Sequence, residues 1–526
     1  AYIASLSDTN KKQAEQNEKL QARIKELTAQ VAWLNRQLFG RKSEKLHALD
    51  SHMPDLFADE FADLRRQAEE KRDEAVKQIE KESKEEKRRK RQNRKMIEGL
   101  PVLETEVIEP EGVDLSLYRK IGEEVTSLVK HKPGMLYVKK IIRPKYALID
   151  NTQLPPGGQK GVEIAPMPLM PVDKCIADTS LLAEILLQKY EYHVPFYRQI
   201  QQYRHLGLEG LTESTLDGWF KKTVELLKPL YESLKKEVFS CDYVQADETT
   251  IPVINRGKHK AEKEYLWMVR SVMEKLVIFH YDMGSRSGSV IESLASQYHF
   301  KGYLQCDGFA GYETAFKTNP DVRLVNCMAH IRRDFEHALG ENKKEAEYGL
   351  AQIQYMYRIE HCCDKAGLSF DGRKAKRREL TRPIMEAMKT WMETEGIKYS
   401  PQSLIGKAVS YAYTRWDNMM RCLEDGRLLL DNNLAENAIR PITLGRKNYL
   451  FCGNHEAAVN MSVICSLLAT CKAHDVNPRD YLKDIIAQMP YHKKSADEEL
   501  LNLLPHKWKL QHPESLLTKQ TVESAN

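Results

Sequence analysis

From residue 241 onward, short apolar runs with the length and composition of β-strands follow one another along the chain. They read DYVQADETTIPVI, EYLWMVRSV, KLVIFHYDM, YLQCDGF and RLVNCMA, and a helical stretch, GSVIESLASQYH, separates the third from the fourth. Three hairpin-like strands, a helix and two further strands predict one mixed α/β sheet. This order of elements is the one that an RNase H-like fold uses.

Acidic residues interrupt or end these runs. Asp247 and Glu248 stand among the apolar residues of the first run, and Asp307 ends the fourth. Far downstream, in LLLDNNLAENAIRPITLGRKNYLF, Glu436 lies on a helix that we expect to start four or five residues before it. Carboxylates beside a buried strand cost free energy unless they are paired or hold a metal ion. Gly308, directly after Asp307, allows a turn or a close approach of another backbone.

Two aspartates on adjacent strands and a glutamate on a helix can form a cradle for metal ions. Phosphodiester hydrolysis or transfer uses two divalent cations about 3.5–4 Å apart. Mg²⁺, for which Mn²⁺ can substitute, prefers carboxylate oxygens of this kind. Arg440, Arg446 and Lys447 would then face the phosphates of DNA. The alternative for each acid taken alone is a helix cap or a surface ion pair.

The motifs around these acids resemble those of the insertion-sequence-sixty-six family of bacterial transposases. They are ADETTIPV, QCDGFAGYE, CMAHIRRDFEHAL, DNNLAENAIRPITLGRKNYLF and NPRDYLKDII with LLPHKWK, while LNRQLFGRKSEKL and HVPFYRQIQQYRHLGLEGLTESTLDGW resemble the N-terminal half of the family. The resemblance implies that Asp247, Asp307 and Glu436 are the catalytic, metal-binding DDE triad. It also implies that residues from about 335 to 425 are a helical insertion, and that Glu248 is a neighbour of the triad rather than a ligand.

The same resemblance implies partners and a place in the cell. The partners are double-stranded DNA, as element ends and as target, and small accessory proteins of the same element. The chain has no apolar run of about 18 residues and no signal-peptide-like start, so we expect neither a membrane partner nor export. We therefore expect a cytoplasmic bacterial protein associated with the nucleoid.

The cysteines argue against a structural zinc site. Cys327 and His330 form a C-x-x-H pair, but structural zinc needs four ligands, so we expect a role in packing or in handling the DNA strand. The family usually carries a small zinc-binding module with cysteine pairs before its helical region. This chain has no cysteine before Cys175, and RPKYALIDN stands where a C-x-x-C is expected. We predict a metal-free β-fold there. The ten scattered cysteines indicate reduced thiols rather than disulfides.

Near the N-terminus, apolar residues recur in alternating steps of three and four, which is the spacing of a coiled coil. With Asn17 at an a position, the following a and d positions are Leu20, Ile24, Leu27, Val31, Leu34 and Leu38. Ile and Val at a with Leu at d favour a parallel dimer. We predict a homodimer, or a higher assembly on DNA. The alternative is an amphipathic helix packed on its own domain.

Two further segments carry DNA-binding signals. The run KRRKRQNRK at 87–95 has seven basic residues in nine, and Arg88, Arg89, Lys90 and Arg91 are its predicted phosphate contacts, although such a run also suits a solvated linker. Between 192 and 222, a helix ending near Gly207 and another beginning after Thr212 or Ser214 fit a helix-turn-helix. Many plain helical hairpins share this pattern.

The 526 residues are too many for one core, and 42% hydrophobic with 29% charged residues suits a globular protein. We predict a multidomain α+β chain: coiled-coil dimerisation helix 1–50, charged basic linker 51–100, small β-rich module 101–170, helical DNA-binding region 171–239, RNase H-like DDE catalytic domain 240–475 with its helical insertion, and C-terminal extension 476–526. The predicted function is a transposase that cleaves element ends and joins the 3′-hydroxyl ends to target DNA. The alternatives are a catalytically silent DNA-binding regulator derived from a transposase, and an RNase H-like nuclease without strand transfer.

Overall fold

The structure, a computed structural model, describes residues 92–132, 134–149, 162–255, 257–492 and 496–517. The predicted coiled-coil residues and the arginines and lysine at 88–91 lie outside the described residues. Nothing in the structure therefore bears on the predicted dimer or on the four predicted phosphate contacts at 88–91, whereas residues 92–95 of the basic run are helical.

After a helical stretch at 92–97, a small sheet lies where the sequence predicts the β-rich module. Its strands are β1 (Val102–Val107), β2 (Tyr118–Lys132), β3 (Met135–Leu148) and β4 (Val162–Ile164). The long antiparallel pair β2–β3 is its centre, and β1 and β4 both pair with β3. Val129, Leu136 and Val138 are buried and pack against the helices that follow. Apolar side chains therefore hold the sheet to its neighbours.

Three helices come next: α1 (Thr179–Tyr190), α2 (Phe196–His205) and α3 (Glu213–Ser240). The predicted boundary between the last two is confirmed, because Gly207 has a φ of 92° and the Thr212 side chain accepts a hydrogen bond from Thr215 N at the start of α3. Trp219 and Phe220 are buried, in a core shared with the large sheet.

The predicted mixed sheet is confirmed. It consists of β5 (Tyr243–Asn255), β6 (Lys260–Ser271), β7 (Val277–His280), β8 (Gly302–Cys306) and β9 (Val322–Asn326), with α4 (Ser289–Gln297) and α5 (Ala310–Phe316) beside it. The strand order is β7-β6-β5-β8-β9, where β5, β6 and β7 are antiparallel neighbours and β8 and β9 run parallel to β5.

A helical stretch follows β9 and has a hydrophobic core of its own. It contains α6 (Met328–Ala338), α7 (Lys343–Lys365), α8 (Phe370–Lys376), α9 (Arg382–Thr394) and α10 (Leu404–Met420). Its buried residues form a cluster separate from the main core and include Phe335, Met388 and Trp416. The chain then returns to the sheet through α11 (Asn433–Tyr449).

The last helices close one edge of the large sheet. They are α12 (His455–Ala473), α13 (Pro478–Gln488), α14 (Asp497–Asn502) and α15 (Pro505–Trp508). On α12, the Ser466 hydroxyl accepts from Phe279 N at 2.7 Å, and the Thr470 hydroxyl accepts from Val277 N at 3.1 Å. These two amides belong to the edge strand β7, so α12 protects the strand from pairing with another chain. No helix within the described ranges is long and apolar enough to cross a membrane.

Candidate active site

Asp247 lies on β5, and Asp307 directly follows β8, the parallel strand beside it. In the pairing of β5 with β8, Tyr243 lies opposite Tyr303 and Gln245 opposite Gln305. Each aspartate follows its glutamine by two residues, so both carboxylates lie at the same level and on the same face of the sheet. The fold therefore brings together two acids that are 60 residues apart in the sequence.

Glu436 lies in the first turn of α11, whose start at Asn433 agrees with the sequence prediction. The Gln245 side chain fixes this turn against β5. Its Nε2 donates to the carbonyl of Asp431 at 3.0 Å, and its Oε1 accepts from the amide of Ala435 at 3.2 Å. The residue two positions before Asp247 thus contacts the backbone directly before Glu436.

Gln305 makes the matching link from β8. Its Nε2 donates to the Leu429 carbonyl at 2.8 Å, and its Oε1 accepts from both Gln245 Nε2 and the Tyr243 hydroxyl. Tyr243 in turn accepts from the amide of Leu429 at 3.0 Å. These contacts form a buried network, Tyr243–Gln245–Gln305, that joins both aspartate strands to the segment leading into α11.

This network was not predicted, although the sequence contains a signal for it. YVQAD and YLQCD repeat the pattern Tyr-x-Gln-x-Asp in two predicted strands. A buried side-chain amide on an apolar strand needs hydrogen-bond partners. Because each of the two glutamines stands two residues before an aspartate, the pattern indicates that both glutamines bond to the same neighbouring segment.

The charges of the acids act on one another. Burial first, and then the negative charges of Glu248, Asp307 and Glu436, together raise the pKa of Asp247 to about 8, while a hydrogen bond from the Glu248 amide acts against this rise. Asp307 Oδ1 accepts from Phe309 N at 2.9 Å. The buried Oε1 of Glu436 has no hydrogen-bond partner among the described residues. Among the described residues, no group of three or more histidine, cysteine, aspartate or glutamate side chains is arranged closely enough to hold a metal ion as it stands.

Glu248 is held by side-chain hydrogen bonds at both of its oxygens. Its Oε1 accepts from Arg286 Nε and Nη2 at 3.0 and 2.8 Å, and its Oε2 accepts from the Tyr312 hydroxyl at 3.2 Å. Burial raises the pKa of Glu248, while the Arg286 hydrogen bonds lower it. Arg286 also lies over the Phe309 ring, 4.2 Å from its centroid. Glu248 therefore ties β5 to the loop before α4.

Gly308 lets the helical stretch approach Asp307. Its amide donates to the Tyr411 hydroxyl at 3.1 Å, and its carbonyl accepts from Arg415 Nη2 at 2.6 Å. A β-carbon at this position would lie 2.0 Å from Arg415 Nε and 2.3 Å from the Tyr411 oxygen. The close approach that the sequence suggested for this glycine is confirmed, and α10 is what approaches.

Family models match most of the chain. The model described as "Transposase IS66 family" covers residues 174–460, which is more than half of the 526 residues. The chain belongs to the IS66 family of transposases. A model described as "IS66 C-terminal element" matches residues 466–506. A third, described as "Transposase C of IS166 homeodomain", matches residues 26–105, a range that includes the later part of the predicted coiled coil and the whole basic run.

Relatives of this IS66-family chain occur in Sinorhizobium fredii (strain NBRC 101917 / NGR234). The one named "Uncharacterized protein y4jD" is 28% identical over 521 residues, which cover 94% of this chain and 96% of the relative. "Uncharacterized protein y4qI" is 30% identical over 414 residues, which cover 75% and 74% of the two chains. The similarity to y4jD thus extends along nearly the whole length of both proteins.

Cys327 and His330 of the IS66-family chain have different partners. Cys327 is buried, and its sulfur accepts from the amide of Asn432 at 3.4 Å, next to the start of α11. His330 Nε2 lies 3.8 Å from Glu436 Oε1, and Arg333, one turn further along α6, lies 4.0 Å from the same oxygen. The two residues of the C-x-x-H pair therefore flank the Glu436 turn, one through the backbone and one through the carboxylate.

The basic residues on α11 differ in their surroundings. Arg440 and Lys447 are exposed. Arg446 donates to the carbonyl of Thr250, and to its hydroxyl at 2.6 Å, so it already links α11 to β5. Contact of these three residues with DNA remains a prediction.

The raised pKa of Asp247 predicts how the stability of the metal-free protein depends on pH. The folded pKa of about 8 exceeds the unfolded value of about 3.9, so the folded protein binds more protons between these two pH values. The free energy of unfolding should therefore fall as the pH rises from 5 to 8, by at most about 1.4 kcal/mol per pH unit from this group.

Chemical denaturation in EDTA at several pH values measures this slope. Asp247→Asn should make it shallower, whereas the control Asp321→Asn, at an exposed aspartate, should leave it as in the parent protein. An unchanged slope in Asp247→Asn would show that this carboxyl is not the group responsible.

Proposed function

We propose that this chain is a DDE transposase with Asp247, Asp307 and Glu436 as its catalytic triad. It binds the ends of an insertion sequence, cleaves DNA strands by metal-dependent hydrolysis and joins the 3′-hydroxyl ends to target DNA. The observation that carries the proposal is the placement of two aspartates on neighbouring parallel strands, with a helix-borne glutamate tied to those strands by the Tyr243–Gln245–Gln305 network. Membership of the IS66 family supports the same reaction.

The three acids fit divalent metal ions by their chemistry. All the donors are carboxylate oxygens, which Mg²⁺ and Mn²⁺ prefer. The buried Oε1 of Glu436 accepts no hydrogen bond among the described residues, and burial and neighbouring carboxylates raise the pKa of Asp247, so neither carboxylate is fully satisfied by the protein. When bound, such ions activate the attacking oxygen and stabilise the leaving one. The residues of this chain hold the three carboxylates in place, and Glu248, already bonded to Arg286, is left out of the ligand set.

Exposed cations near the triad suit the DNA backbone. Arg333 on α6 and Arg440 and Lys447 on α11 are exposed and lie on the helices that carry or flank Glu436. Cations in such positions neutralise phosphates and release counterions on binding. The run 88–91 and the match of residues 26–105 to a homeodomain model add a second DNA-binding region in this proposal.

The strand order β7-β6-β5-β8-β9 supports an RNase H-like catalytic domain over residues 240–475. The heptad at 17–38 supports a dimer, because paired cleavage of two element ends needs two active sites. In this proposal the protein acts in the bacterial cytoplasm on chromosomal or plasmid DNA.

A strand-transfer assay tests the proposal and its metal dependence. The full chain is incubated with a preprocessed DNA end, taken from the sequence that flanks its gene, together with a plasmid target. We expect joined products with Mg²⁺ or Mn²⁺ and none with EDTA, because the donor set is entirely oxygen. Cleavage without joining would identify a nuclease instead, and a gel shift without cleavage would identify a DNA-binding regulator.

A further inference from the structure

A cavity of about 230 Å³ lies between the β6–β7 edge of the large sheet and helices α11 and α12. Most of its wall is apolar, with contributions from Val277, Phe279, Pro441, Ile442 and Leu468. Arg270 on β6 also lines it. The cavity is separate from the triad, but α11 contributes to both, because it carries Glu436 and also Pro441, which lines the cavity.

Arg270 is a partly buried cation whose Nε is shielded from solvent without a partner in the described ranges. Its Nε is buried and has no hydrogen bond in the described part of the chain, and no salt bridge of Arg270 occurs there. Burial lowers the pKa of Arg270. Moving a guanidinium out of water costs free energy unless an anion or hydrogen-bond acceptors replace the lost water. An arginine without such partners in the protein is therefore expected to have them in a ligand.

Another arginine shows how this fold treats a structural one. Arg377 is fully buried, and both Nε and Nη2 donate to the Glu360 carboxylate at 2.7 and 2.8 Å. It also donates to the carbonyls of Cys422 and Leu428. The contrast indicates that the unused donors of Arg270 serve a ligand rather than the fold.

The remaining polar groups at the cavity favour an anionic ligand. Lys472 adds a second positive charge, and Glu191 is the one carboxylate that lines the cavity within the described residues. Apolar walls favour a flat ring, and a guanidinium favours a phosphate, which it can bind through two parallel hydrogen bonds. A volume below the ~300 Å³ of ordinary cofactor sites excludes a dinucleotide.

The cavity opens on the same face of the sheet as the triad. Arg270 lies opposite Gln245 on the neighbouring strand, and Gln245 is two residues before Asp247. Residues opposite each other in a sheet share a face, as do residues two apart on one strand. We propose that this cavity binds a single deoxynucleotide, with its phosphate at Arg270 and its base against the apolar walls.

Calorimetric titration of the full chain in EDTA tests this without any cleavage reaction, so it stands or falls separately from the proposed transposase activity. We expect at least one of the four deoxynucleoside monophosphates to bind saturably. Inorganic phosphate and the deoxynucleoside alone should each bind at least about tenfold more weakly. Saturable binding by none of the four would overturn the proposal.

Variants of the cavity locate the binding. Arg270→Met should weaken binding at least about tenfold, whereas Arg358→Met, at an exposed arginine on α7, should not. Because Arg270→Met removes a partly buried charge that has no ion-pair partner in the described part of the chain, it should unfold at the same or a higher temperature than the parent protein. A lower unfolding temperature would mean that Arg270 is structural, which overturns the assignment. Ala469→Leu, which fills the cavity and keeps Arg270, should weaken binding as well, and unchanged affinity in both cavity variants would also overturn it.

A competition arm separates the two sources of such a nucleotide. A DNA duplex with one unpaired internal nucleotide should displace the bound mononucleotide more effectively than the fully paired duplex if the ligand belongs to a DNA strand. Equal competition by the two duplexes would support a free nucleotide as the ligand.

Discussion

Replacing Asp247, Asp307 or Glu436 by alanine is expected to lower DNA cleavage on the order of 10⁴-fold, the scale seen when one member of a catalytic unit is lost. Each change removes a carboxylate from a set that can hold metal ions only as a whole. Asp247→Asn and Asp307→Asn should have nearly the same effect, because they remove the charge and keep the shape. Cleavage of an end fragment under single-turnover conditions measures the loss.

Two controls distinguish this loss of cleavage from misfolding or loss of DNA binding. Asp321→Asn removes an exposed carboxylate at the far end of β9 and should cleave normally. All variants should bind the end fragment as the parent protein does in a gel shift, because the triad acids do not attract phosphates. Normal cleavage by any one of the three alanine variants would remove that residue from the triad.

The parts of the site that could be predicted are those with a local signal. Asp247 and Asp307 each interrupt or end an apolar run, and such an interruption is visible within ten residues of sequence. The cap at Thr212 was predictable for the same reason, since a capping residue acts on the next turn of its own helix. The strand runs from 241 were predictable because their apolar stretches are short and separated by turns.

The parts that could not be predicted depend on contacts between distant residues. Gln245 meets Ala435 across 190 positions, and Arg446 meets Thr250 across 196. Nothing in the local pattern of α11 distinguishes Arg446, which bonds to β5, from Arg440, which is exposed. The approach of Arg415 to Gly308 likewise depends on how the helical stretch packs as a whole.

The Tyr243–Gln245–Gln305 network is expected to control the activity of the triad without touching DNA. Gln305→Leu would leave the Tyr243 hydroxyl and the Leu429 carbonyl buried with fewer partners, which costs about 1–3 kcal/mol per unsatisfied group. Because the segment before α11 would lose its tie to β8, Glu436 would no longer be held in register with the aspartates. We expect cleavage to fall roughly 10–100-fold, as for other residues that orient metal ligands.

Gln199→Leu is the matched control for this variant. Gln199 is also fully buried and also donates through Nε2 to a backbone carbonyl, that of Val194 at 2.9 Å, but it lies on α2, away from the triad. Both variants should unfold more easily than the parent protein. Only Gln305→Leu should need more Mg²⁺ for half-maximal cleavage when both are assayed well below their unfolding temperatures. If instead its activity falls only in proportion to the unfolded fraction, and the Mg²⁺ requirement stays the same, the network stabilises the fold and does not position Glu436.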